Sequence, residues 1–158
     1  MDKLLLEKVK EKHLINEIYS YIDWKDLSKN LDLDKNEDFV RMFSHKLDWE
    51  IISRWRDLSE DFMRKFKDKL DLKILCRFQY LSEEFIRDFS DILDWSLVCE
   101  YTYLTEDFIR EFQDKVDWEI ISDYVILFTK EFMKDFKEKL NLELIRENQV
   151  DWIEILGE

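Results

Sequence analysis

The chain has 158 residues, a formal net charge of −13 and a pI near 4.7, a balance that opposes non-specific binding to nucleic acid or to an anionic membrane. Charged residues make up 40% of it, yet 46% is hydrophobic and 15% aromatic, which excludes a disordered acidic tail and requires a packed fold. Proline is absent and the one glycine is Gly157, so the chain has no Gly-rich phosphate loop and no nucleophile elbow.

Residues 1–13 read as a short entry helix, with Leu4, Leu5, Leu6 and Val9 supplying apolar contact. The apolar run there is too short for a signal peptide, and no stretch reaches the roughly 18–20 apolar residues of a membrane span. With two cysteines and no leader, the expected setting is intracellular and reducing, not secreted.

Residues 14–150 read as about six copies of one helical hairpin. The clearest copies are the consecutive stretches Leu58–Tyr80, Leu81–Tyr103 and Leu104–Ile126, each displaced by 23 positions from the one before. A first helix carries large apolar residues at i, i+4 and i+8, which share one helical face. These triplets are Leu14, Ile18, Ile22; Phe39, Phe43, Leu47; Phe62, Phe66, Leu70; Phe85, Phe89, Leu93; Phe108, Phe112, Val116; and Phe132, Phe136, Leu140. An adjacent position (Ile15, Val40, Met63, Ile86, Ile109, Met133) widens the stripe.

Ser59, Ser82, Thr105 and Thr129 stand where an N-cap oxygen belongs, with Asn36 in the same place after a longer linker. The second helix opens at Asp23, Asp48, Asp71, Asp94, Asp117 or Asn141, followed by Trp or Leu, with apolar residues three, four and seven positions after the cap. Both helices are expected to run about 10 residues, or about 15 Å. Helices that short depend on packing against the next unit. Residues 151–158 restart the pattern with Asp151 and Trp152 and read as a C-terminal cap. The expected fold is therefore a single all-α domain, an α-solenoid of about six short αα-hairpin repeats with capping segments at both ends.

Candidate chemistry is sparse. Six aligned acidic or amide residues suggest a metal row, but their position before each helix marks them as N-caps, whose oxygens are committed to backbone N–H groups. Cys76 and Cys99 share a unit position with Ser28, Ser53 and Ser122, which marks them as small packing residues and free thiols. His13 and His45 belong to no metal or catalytic spacing. Trp24, Trp49, Trp95 and Trp118 alternate with Leu72 and Leu142, as packing anchors do. No catalytic, cofactor-binding or metal site is expected, and no enzyme.

The polar positions that change between units remain. Six residues after the second-helix cap the row reads Lys29, Arg54, Arg77, Glu100, Asp123, Glu147, and two after it Lys25, Glu50, Lys73, Ser96, Glu119, Glu143. Both rows run from basic to acidic. They read either as a solvated face or as a graded surface whose acidic half (Glu100, Glu119, Asp123, Glu143, Glu147) receives a basic protein segment. The same polarity would suit end-to-end self-association.

The unit, seen in LSEDFMRKF, LSEEFIRDFSDILDW, LTEDFIREFQDKVDWEIIS and KLDWEIISRW, resembles the short tandem repeats of proteins from giant DNA viruses that infect amoebae and of some phage proteins. The likeness covers most of residues 36–147. It implies a repeat scaffold of viral origin, in the host-cell cytoplasm or the virion, and brings no catalytic residues. The expected function is a non-enzymatic protein-interaction scaffold. The alternatives are a structural component of an assembly such as a virion, and an acidic nucleic-acid mimic that occupies a basic protein; direct nucleic-acid and membrane binding are not expected.

Overall fold

The computed structural model describes residues 19–55 and 57–147, with the side chains of Trp55, Arg146 and Glu147 outside the described set. The entry helix at 1–13, the first-unit residues Leu14, Ile15 and Ile18, and the C-terminal cap at 151–158 also lie outside the described residues. What is described is an all-α repeat array with no strand among the described residues.

The helices in chain order are α1 (Trp24–Asn30), α2 (Glu37–Phe43), α3 (Trp49–Trp55), α4 (Glu60–Lys65), α5 (Leu72–Phe78), α6 (Glu83–Asp88), α7 (Trp95–Tyr101), α8 (Glu106–Glu111), α9 (Trp118–Asp123), α10 (Lys130–Asp135) and α11 (Leu142–Glu147). Even-numbered helices open a repeat and odd-numbered ones close it. Single 3-10 turns at Asp34–Asn36 and Val125–Leu127 sit in two of the connections. The described residues fall into two compact units, one ending at Leu70 and the other starting at Asp71.

The caps lie where the sequence places them. Ser59, Ser82, Thr105 and Thr129 accept from the N–H groups of Phe62, Phe85, Phe108 and Phe132 at 3.1–3.3 Å. Asp23, Asp48, Asp71, Asp94, Asp117 and Asn141 accept from first-turn N–H groups of the odd-numbered helices. Asn36 is the exception: its side chain makes no cap bond and its amide donates to the Asp32 carbonyl at 2.6 Å. The 3-10 turn ahead of α2 already brings the chain in helical, and Asp32 serves that turn by accepting from the Lys35 N–H.

Helices of about 10 residues are not what forms. Each spans 6 or 7 residues. In the first helices of the regular repeats the second aromatic of each triplet leaves helical geometry, with φ between −109° and −115° at Phe66, Phe89, Phe112 and Phe136. The chain then closes a tight turn. The Phe66 carbonyl accepts from both Lys69 (2.9 Å) and Leu70 (3.2 Å), and Phe89, Phe112 and Phe136 repeat this pair of bonds. Backbone bonds at i+4 thus still link the three apolar residues, and Phe62, Phe66 and Leu70 are all buried.

On the odd-numbered helices the buried positions are mainly four and five after the cap: Ile52, Leu75, Val98, Ile121 and Ile145, then Ser28, Ser53, Cys76, Cys99 and Ser122, with Leu97 buried as well at the third position of its helix. The seventh position departs from the expected stripe. Phe78, Tyr101 and Tyr124 are 41–51% exposed, where these helices end or have just ended.

Repeats are joined by contacts that recur. The buried hydroxyl of Ser28 donates to the Trp24 carbonyl (2.7 Å) and accepts from the N–H of Asp48, the next repeat's cap, at 2.8 Å. Ser122 does the same between Trp118 and Asn141, and the Cys99 sulfur takes the Asp117 N–H at 3.4 Å. Small size was therefore only half of the requirement at this position.

Each Trp, half-buried, faces the next repeat's middle Phe, with ring centroids 4.9–5.6 Å apart for Trp24–Phe43, Trp49–Phe66, Trp95–Phe112 and Trp118–Phe136. The Ser90 carbonyl accepts both the Trp95 indole N–H (2.9 Å) and the ammonium of Lys115 (3.0 Å), and the Gln113 carbonyl joins Trp118 to Lys139 alike. These lysines also lie over the indole faces at 5.4–6.0 Å. Where Leu72 replaces Trp, Ile92 stands in the matching lysine position. Burying each Phe contributes roughly 2–3 kcal/mol, enough to hold helices too short to survive alone.

Replacing Ser122 by Ala leaves the Asn141 N–H without its acceptor and is expected to cost about 1–3 kcal/mol. Ser122→Cys should lose clearly less, because Cys99 fills the same role. Urea unfolding measures both; equal losses would mean the acceptor is dispensable.

Candidate interaction site

The residues of the graded rows are placed on the outer side of the odd-numbered helices. In the first unit Lys29 and Arg54 are exposed and line one shallow depression with Lys25, Asp26, Glu50 and Ile51. In the second unit Arg77, Glu100 and Asp123 are exposed on α5, α7 and α9, which pack in sequence against one another. Glu143 is exposed, and the side chain of Glu147 lies outside the described residues.

The row two after the cap has a second occupation. Lys73 pairs with Asp94 at 3.5 Å, Ser96 donates to Asp117 at 2.8 Å, and Glu119 accepts from the Asn141 amide at 2.8 Å. Each side chain thus meets the next repeat's cap. The departure from Asp to Asn at position 141 follows from this, since a carboxylate beside Glu119 would place two like charges together. Glu119 is accordingly tied to its neighbour, whereas Glu100 and Asp123 border a different feature.

That feature is the pair of exposed aromatic rows at the ends of the odd-numbered helices. One row is Phe78, Tyr101, Tyr124. The other, two residues on, is Tyr80, Tyr103, Ile126, 69–88% exposed. Between them lie two depressions that share Tyr101, Thr102 and Tyr103. A cleft of about 190 Å³ is lined by Tyr101, Tyr103, Leu104, Tyr124, Leu127 and Phe128, with Glu100 at its edge. A neighbouring depression of about 330 Å³ is lined by Tyr80, Ser82, Glu83, Tyr103 and Thr105, among others.

The connection after α9 shapes the first cleft. The interval from Thr105 to Thr129 is one residue longer than that from Ser82 to Thr105, and the extra residue is taken up in the 3-10 turn Val125–Leu127. Val125 is buried there, Leu127 is exposed, and the Phe128 ring lies tilted against Phe132 with centroids 4.7 Å apart. The Tyr124 hydroxyl reaches back to the Glu100 carbonyl at 3.4 Å. The Tyr101 hydroxyl is held by the Glu100 carboxylate, which pushes its pKa above the ordinary value. The signals for this surface, the aromatic seventh and ninth positions and the lengthened interval, are visible in the sequence but are obscured by reading the seventh position as core.

Among the described residues no group of three or more His, Cys, Asp or Glu is arranged to hold a metal ion, and no helix is long and apolar enough to cross a membrane. His45 is exposed. Cys76 and Cys99 are free, buried thiols. Loss of hydration pushes both pKa values from 9.0 to about 11, with the nearby Asp94 and Asp117 carboxylates adding to it. No family model, curated protein or solved structure matches the chain.

Because both thiols titrate higher in the folded chain than the unfolded one, the stability they contribute is complete below about pH 9 and is lost as pH rises towards 11. Native protein at pH 8 should resist alkylation at Cys76 and Cys99 by at least tenfold relative to urea-unfolded protein. Labelling followed by mass spectrometry measures this, and equal rates would contradict the burial.

Proposed function

We propose that the protein is a non-enzymatic protein-interaction scaffold whose binding surface is the outer edge of the odd-numbered helices of the second unit, basic at Arg77 and acidic at Glu100 and Asp123. The observation that supports it is a division of labour. The recurring caps, Phe triplets, Trp anchors and small Ser or Cys residues are engaged within and between repeats, while the non-recurring Arg77, Glu100 and Asp123 stand exposed beside rows of exposed aromatic side chains. Contiguous exposed apolar surface rimmed by charge is characteristic of sites where proteins meet. Viral origin and action in the host cell accompany this reading, through the resemblance of the unit to the repeats of amoeba-infecting viruses.

The test is affinity capture with the full chain and with a Glu100→Lys, Asp123→Lys variant as parallel baits. Basic proteins are expected on the parent bait at low salt, to weaken as salt rises, and to be missing from the variant. The same proteins on both baits would end the proposal. Light scattering should give a mass independent of concentration, as a scaffold requires and an end-to-end assembler does not.

A further inference from the structure

We infer that the aromatic edge of the second unit binds an extended peptide segment with apolar side chains at every third residue and a Lys or Arg beside them, the apolar anchor seated in the cleft walled by Tyr101, Tyr103, Tyr124 and Leu127. The inference rests on the scaffold reading and adds the chemistry of the bound segment.

Size is the first argument. Small-molecule sites usually enclose about 300–1,000 Å³ and most of the ligand. A cleft of about 190 Å³, open along one side and walled by tyrosine rings, suits one large side chain of a longer ligand. The second depression adjoins it across Tyr101–Tyr103, and the Thr102 hydroxyl between the two brings a polar group within reach of a peptide backbone.

Spacing is the second. The two depressions flank one repeat's edge, and packed helices of successive repeats lie about 8–10 Å apart. A polyproline-II segment returns the same face every three residues, about 9 Å on, and needs no hydrogen bonds of its own to keep that form. A β-strand returns its face after about 7 Å and falls out of step. Aromatic-lined grooves are a recurrent means of holding such segments, because flat rings accept a stiff, already extended backbone at little entropic cost.

Charge is the third. Glu100 borders the cleft and Asp123 precedes Tyr124 on the same edge, both exposed. A cation on the segment would meet these carboxylates and the electron-rich tyrosine faces together. The net charge of −13 would speed its arrival.

The test uses the full chain as target for a random peptide library displayed on phage, followed by fluorescence anisotropy with the enriched peptides made synthetically. Expected are sequences with aromatic or aliphatic residues at three-residue intervals and a neighbouring Lys or Arg. Tyr103→Ser, and separately Leu127→Ser, should weaken them by roughly tenfold or more. Both positions are more than half exposed, so the thermal midpoints of the variants should match the parent. Peptides that bind both variants as tightly as the parent overturn the inference, as do acidic motifs, helical spacing of the apolar residues, or failure to enrich any peptide. Self-association that Tyr103→Ser abolishes would assign the cleft to a second copy of the chain and overturn it too. None of these results decides the scaffold reading, which stands or falls on the Glu100→Lys, Asp123→Lys capture.

Discussion

The backbone N–H of a second-helix cap residue lies against the preceding repeat, partly shielded from water, and finds its acceptor there. A serine hydroxyl or cysteine sulfur from that repeat supplies one, as Ser28 does for Asp48 and Ser122 for Asn141. The rest of the structure depends on this bond. It sets how closely one odd-numbered helix approaches the next, which in turn decides where each Trp meets the following Phe and where each Lys meets the carbonyl ahead of the Trp. A buried amide left unpaired would cost more than any one of the surface ion pairs contributes. Helices of 6 or 7 residues persist only through such contacts with their neighbours, this bond and the burial of the Phe side chains together, because their own hydrogen bonds begin and end within two turns.

Much of this was legible in the sequence, for a physical reason. Repetition makes a cap visible even when one cap is a weak signal, and Ser59, Ser82, Thr105 and Thr129 all act as their alignment implies. The triplets were legible likewise, down to the smaller Val116. What was not legible was where a helix stops. A stripe at i, i+4 and i+8 looks the same whether the helix continues or closes through a tight turn at Phe66, Phe89, Phe112 or Phe136. The seventh position after the Asp cap suffered most, since its apolar character suggested burial when the helix ends at Phe78 or Tyr101. The charged rows are exposed as far as Glu143, and the aromatic residues beside them are plain in the sequence, but that they are exposed is seen only in the structure.

Glu119 and Asn141 show how variation between repeats is to be read. Within the acidic row Glu119 resembled a binding residue. Its partner shows that it answers to the next repeat's cap, and that the cap answers to it by being an amide. Variable residues in a stacked array therefore divide into those that vary with a neighbour and those that vary alone. Arg77, Glu100 and Asp123 differ from Lys73 and Glu119 in this respect: they stand exposed on the outer edge, and Glu100 holds the tyrosine beside it in its own repeat, Tyr101, not the next repeat's cap.

The exchange of Trp for Leu72 together with the loss of lysine at Ile92 has a mechanical consequence. At Trp95 and Trp118 an indole, an ammonium and a shared carbonyl fasten one repeat to the next with directed bonds. At the Leu72 junction neither the indole nor the ammonium is present, and the exposed Lys73–Asp94 pair at 3.5 Å spans it instead. An exposed ion pair contributes little and is screened by salt, so this seam draws its hold mainly from buried apolar contact, where the two that follow add directed bonds.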